Sequence, residues 1–166
     1  MCASICPIIL LNRPSIRATL SVQAPIYKYL AYAGTIPFIL PTLIIMNPDV
    51  HAQWMTGPGL TLHSYGLVIV AFMCGTHWGL YLTHHPQCPI NLLVSSNILT
   101  LTCWFAYLSQ HTALILTSQL CTFSILLVLE TRLYKRRILH KNYYEMRRNV
   151  TAIVVVALAI NLALQG

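Results

Sequence analysis

The sequence predicts an all-α membrane protein, a five-transmembrane-helix bundle with its N-terminus on the positive (matrix or cytoplasmic) side. Three observations lead there. Only 8% of the residues are charged and 57% are hydrophobic, against roughly 25% charged in soluble domains, so lipid must be the main solvent. Five stretches are apolar over a length close to the roughly 20 residues that cross a hydrocarbon layer. The ten Lys and Arg are confined to two blocks: Arg13, Arg17 and Lys28, then Arg132, Lys135, Arg136, Arg137, Lys141, Arg147 and Arg148. Nucleic-acid binding is another use for a basic cluster, but the positive-inside bias of membrane proteins accounts for this one with fewer assumptions, and no nucleic-acid partner is inferred.

Residues 1–26 form a basic N-terminal leader or tail without acidic groups. Its Ser4, Ser15, Ser21, Arg13 and Arg17 have the bias of a mitochondrial transit segment, while Pro7, Pro14 and Pro25 weaken the amphipathic helix such segments prefer. The transmembrane domain is expected over 27–166. Its first span is 27–46, anchored by Tyr27, Lys28, Tyr29 and Tyr32 at the interface and kinked or thinned by Pro37 and Pro41. Turn formers Pro48, Asp49, Gly57, Pro58 and Gly59, with Trp54 as a further anchor, lead to a second span over 62–83. His84, His85 and Pro86 end it. The third span, 90–108, is the most polar, and Ser96, Thr100 and Cys103 form one helical stripe predicted to face the second span. The short link 109–112 makes the third span and the fourth, 113–129, an antiparallel hairpin. Glu130 is placed at the interface, pairing with Arg132. A basic aromatic segment over 132–148 precedes a fifth span at 149–164.

The topology has an internal check. With the N-terminus inside, the inside segments are 1–26, 84–89 and 130–148, and every Lys and Arg falls on that side, counting Lys28 at the boundary. An even number of crossings must separate the two basic blocks, and four are found.

Candidate chemistry centres on Gly75-Thr76-His77-Trp78-Gly79, inside an otherwise apolar span. An imidazole there must face protein or trapped water. Gly75 and Gly79, one helical turn apart, are predicted to admit a neighbouring helix, and His77 to bond across to the polar third span. The functional readings of His77 are a haem ligand, a metal ligand, a proton relay or a quinone contact. His63 lies fourteen residues earlier, about 1400° of rotation at 3.6 residues per turn, so both face within about 40° of each other. His77, His84 and Cys88 fit no zinc spacing and have no carboxylate beside them. No Cys-x-x-Cys pair occurs among the six cysteines, which read as structural. With three acids in all, paired-carboxylate hydrolysis is excluded. No catalytic triad, phosphate loop or dinucleotide fingerprint appears, and no inverted repeat points to a secondary transporter. No metal and no cofactor is assigned. Arg132, Lys135, Arg136, Arg137, Lys141, Arg147 and Arg148 are the expected contacts for anionic lipid headgroups, at roughly 1 kcal/mol per charge.

Tyr29-Leu-Ala-Tyr-Ala-Gly-Thr-Ile-Pro-Phe38, Tyr65-Gly66, Phe72 and Gly75-Thr-His-Trp-Gly79 resemble the motifs of the transmembrane protein 69 family. That family occurs in bacterial inner membranes and mitochondria and is otherwise catalogued as a domain of unknown function. The resemblance covers about 27–164 in layout, with specific motifs only in the first two spans. It implies a five-helix inner-membrane protein and supplies no catalytic residues; the composition of 1–26 favours a mitochondrial over a bacterial location. Cys74 beside Gly75 departs from the glycine often found there. The expected role is a non-enzymatic structural or accessory subunit, or an assembly factor, of a membrane complex such as a respiratory one. Its partners would be membrane lipids and other subunits. The alternative is a small carrier of a redox cofactor or metal built around His63 and His77.

Overall fold

A computed structural model of the chain describes residues 26–47, 49, 57–84, 88 and 90–165. The expected leader up to residue 25, the Trp54 anchor, His51 and His85 lie outside them. The chain divides into two compact units, Met1–Gly34 and Thr35–Gly166. In the first, residues 26–33 are helical. The second holds α1 (Ile36–Ile45), α2 (Pro58–His84), α3 (Leu92–Leu108), α4 (Thr112–Lys135) and α5 (Lys141–Gln165), and no strand occurs among the described residues. Four segments are long and apolar enough to cross a membrane by length and composition: Ile26–Ile45, α2, α4 and α5. The 17 residues of α3 extend about 26 Å, the short end of the spanning range.

Local sequence explains where these helices start and stop. The turn at Gly34–Thr35 precedes Pro37 in the first turn of α1, where proline's missing donor does no harm. Asn91 caps α3, its side chain accepting from the backbone N–H of Leu93 and Val94. The C-terminus of α4 is closed by two backbone bonds, Arg137 N–H to Tyr134 C=O at 2.9 Å and Ile138 N–H to Leu133 C=O at 3.1 Å. That is a Schellman motif with Arg137 (φ 59°) in the left-handed position usually given to glycine.

This closure lies beyond the expected end of the fourth span. The fourth and fifth helices extend well beyond 113–129 and 149–164, and most of the basic segment 132–148 is helical. Only residues 136–140 connect α4 to α5. The charged side chains here are carried on continuing helix, some facing outward and some inward.

The closest pairings are α4 with α5 and α2 with α3; α1 lies against α2 and α5, and α4 also contacts α2 and α3. Phe38, fully buried, stands where α1, α2 and α4 meet, edge-on to Tyr65 at 5.2 Å and to Phe123 at 6.0 Å between ring centroids. The inward face of α2 reads Leu62, His63, Gly66, Val70, Met73, Cys74, His77, the three-and-four spacing of one helical side. Gly66 leaves room on α2 for the Gln119 side chain of α4, which a Cβ there would overlap. Gln119 is itself held, its Nε2 donating to the His63 carbonyl at 2.8 Å.

Gly66→Ala should therefore displace Gln119 and lower stability by about 1–3 kcal/mol, read as a lower unfolding midpoint in mild detergent. In a Gln119→Ala background the same substitution should lose most of that effect. Equal effects in the two backgrounds would show that the close approach does not govern packing.

Candidate functional site

The interior of a bundle in lipid is held by packing and by bonds between polar side chains, because lipid tails exert no hydrophobic push on apolar helices. Here the polar groups gather at three levels. The first, toward the α4–α5 turn, joins His77 of α2, Glu130 of α4 and Arg147 of α5, which are 0%, 2% and 8% exposed. Arg147 Nε donates to Glu130 Oε1 at 3.1 Å. His77 Nε2 lies 4.0 Å from the same oxygen, beyond hydrogen-bond reach. Both ring nitrogens of His77 and the second carboxylate oxygen of Glu130 make no hydrogen bond to the described residues.

The second level is the Gln119–His63 contact, where His63 Nε2 and Gln119 Oε1 are likewise buried and unpaired among the described residues. At the third, Asn161 of α5 donates to Thr42 Oγ1 of α1 at 2.7 Å and to the Ala157 carbonyl at 2.8 Å. The remaining described histidines, His84, His111 and His140, sit at helix ends. Among the described residues no group of three or more His, Cys, Asp or Glu is placed to hold a metal ion.

The first level is an ion pair with an imidazole beside it. Charges removed from water are retained only when paired and hydrogen-bonded, and loss of one partner leaves the other uncompensated. The arrangement therefore fastens α4 to α5 and holds the carboxylate against α2. It also places an imidazole and a carboxylate in adjacent, buried positions.

The structure redistributes the residues expected to form the site. His77 faces Glu130 and Arg147, not the polar third span. Gly75 and Gly79 are exposed, and a Cβ at either would meet nothing within 4 Å, so among the described residues no helix lies against them; Gly66 is the glycine of close approach. Trp78 is 43% exposed, and Thr76 donates to its own helix at the Met73 carbonyl. Ser96 is fully buried and donates to the Leu93 carbonyl. Thr100 lies beside Cys74 of α2, and Cys103 meets Thr122 of α4 at 3.2 Å. Of the basic set, Arg132, Lys135, Arg136, Arg137, Lys141 and Arg148 are exposed. Arg147 differs from the others: it is buried, its Nε bonded to Glu130. Glu130 is buried with Arg147 instead of paired with Arg132 at the interface.

The signal for both was present. Phe123, Leu126, Glu130 and Leu133 recur at three and four residues, as do Arg147, Val150, Val154 and Leu158, so each charge continues an inward stripe.

Removing one partner, as in Arg147→Met or Glu130→Leu, should destabilise the fold by about 3–5 kcal/mol. The double variant Glu130→Leu/Arg147→Met should lose much less than the sum, as followed by detergent unfolding of all four proteins. Strict additivity would show that the pair is not coupled.

A family model described as "Protein of unknown function (DUF3429)" matches residues 23–163. Comparison with curated proteins and with solved structures finds no match.

Proposed function

The chain belongs to the DUF3429 family of proteins of unknown function, and we propose that it works without catalysis, as a structural or accessory subunit or an assembly factor of a membrane complex such as a respiratory one. Its apolar helices are compatible with a multi-pass integral membrane protein. The observation that carries the reading is the separation of roles between inside and outside. His63, His77, Gln119, Glu130, Arg147 and Asn161 are all turned inward. The outward faces are large apolar side chains such as Val68, Phe72, Leu101, Phe105, Val128 and Val156. A protein so built offers apolar surface to its neighbours and keeps most of its hydrogen-bonding groups inside.

Within the family, the Gly75-Thr-His-Trp-Gly79 and Ile36-Pro-Phe38 motifs support a protein of the transmembrane protein 69 type. The acid-free, serine- and arginine-containing segment 1–26 supports the mitochondrial inner membrane, with the basic ends in the matrix. The exposed Arg132, Lys135, Arg136, Arg137, Lys141 and Arg148 support contact with anionic lipid headgroups on that side. A second reading, a carrier of haem or a metal, is favoured only by the buried ring nitrogens of His63 and His77 that no described residue bonds. A visible absorbance band lost on His77→Ala would select it.

Extraction in mild detergent followed by native electrophoresis should show the chain well above 18.7 kDa with specific other proteins in fixed proportion. Migration as the chain alone, in one or two copies, would contradict the accessory role. Arg136→Gln/Arg137→Gln should lower the anionic share of co-purifying phospholipid; an unchanged share would remove the headgroup contact.

A further inference from the structure

Asn97 stands on the exposed face of α3, and its side chain makes no hydrogen bond among the described residues. It is three residues from the midpoint of the helix, about 4.5 Å at 1.5 Å per residue, and thus deep in the hydrocarbon. The other exposed polar side chains nearby are satisfied within their own helices. Thr102 donates to the Ile98 carbonyl at 2.8 Å, Thr83 to the Gly79 carbonyl at 2.9 Å, and Asn91 caps α3. An amide carries two donors and an acceptor that a lipid chain cannot meet, and an unpaired amide in an apolar medium is costly.

The adjoining helix is open at the same depth. Cys74 lies beside Thr100 in the antiparallel pair α2–α3, which gives their relative level. Three residues back from Thr100 brings Asn97 level with about residue 77, between Gly75 and Gly79. At both glycines the backbone is exposed with nothing within 4 Å of an added Cβ, so another helix can approach as closely as helices do in membranes.

We infer that a second copy of this chain docks in the bilayer against the outer face of α2 and α3, with the two Asn97 amides bonded to each other across a two-fold axis. The occupant follows from symmetry. A two-fold axis along the membrane normal brings the same residue of each copy to the same depth, and an amide is its own complement, donor to acceptor in both directions. An unrelated helix would need a hydrogen-bonding group at that one level, which a second copy supplies automatically. Gly75 and Gly79 then serve the association instead of the fold, which accounts for glycine at positions where the chain's own packing does not require it.

The inference goes beyond the accessory role and does not depend on it, since the test uses the purified chain alone. Donor- and acceptor-labelled protein in phosphatidylcholine–phosphatidylglycerol vesicles, diluted progressively with lipid, reports association by energy transfer. Wild type should saturate at the stoichiometry of a dimer. Asn97→Leu should weaken association about three- to fifteen-fold, the range of a buried interhelical hydrogen bond. Gly75→Ala, whose Cβ meets nothing within 4 Å among the described residues and so should not lower the unfolding midpoint, should weaken it too. Val156→Leu, on exposed α5 surface, should leave it unaltered. A wild-type protein monomeric at every dilution, or a folded Asn97→Leu variant that associates as wild type does, would overturn the proposal.

Discussion

The pair formed by Glu130 and Arg147, with His77 against it, is the constraint on which the rest of this bundle depends. Two charges inside a protein surrounded by lipid are tolerable only together. Their 3.1 Å contact therefore fixes the rotation of α4 and α5 about their own axes, and with it the faces each helix turns to lipid. Once Glu130 points inward, Phe123, Leu126 and Leu133 follow by helical spacing. Once Arg147 does, Val150, Val154 and Leu158 do the same. The Schellman closure after α4 is short enough to keep the two charges at one level, and the arginines of the turn are exposed beyond it.

Apolar packing specifies little by itself in lipid, because an apolar face is as well accommodated by acyl chains as by another helix. The three polar levels supply the missing specificity. His77–Glu130–Arg147 joins α2, α4 and α5; Gln119 ties α4 to the His63 carbonyl of α2; Asn161 ties α5 to Thr42 of α1. Each of these four helices is thus registered by a bond that only one rotation and one depth allow. α3 is the exception. It is short and peripheral, linked by Thr100 and Cys103 through comparatively weak thiol contacts, and it bears the one amide on the described α2–α3 surface that its own helix leaves unsatisfied.

Much of this was legible in the sequence. Scarcity of charge, the lengths of the apolar stretches and the blocks of Lys and Arg lead directly to apolar helices in about the right places. The burial of His77 follows from the cost of exposing an imidazole to lipid. What was not legible is which neighbour each inward group meets. A helix end inferred from Glu130 as the first charge misplaced both that residue and Arg147, since a charge can end a span or cross-brace it and only the stripe it belongs to distinguishes the two. Gly75 and Gly79 read as packing glycines because spacing shows that a helix can approach, not from which side; Gly66, without a second glycine at that spacing, is the one that packs within the chain.

The interior thus accounts for the fold, and the exterior for the proposed work among other membrane proteins. The central claim is the existence of the interior ion pair in a lipid bilayer, and solid-state NMR of isotope-labelled protein addresses it directly. The account predicts a strong dipolar coupling between the Glu130 carboxyl carbon and the Arg147 guanidinium nitrogens, with the carboxyl group ionised. A neutral Glu130 carboxyl with no coupling to Arg147 would contradict it.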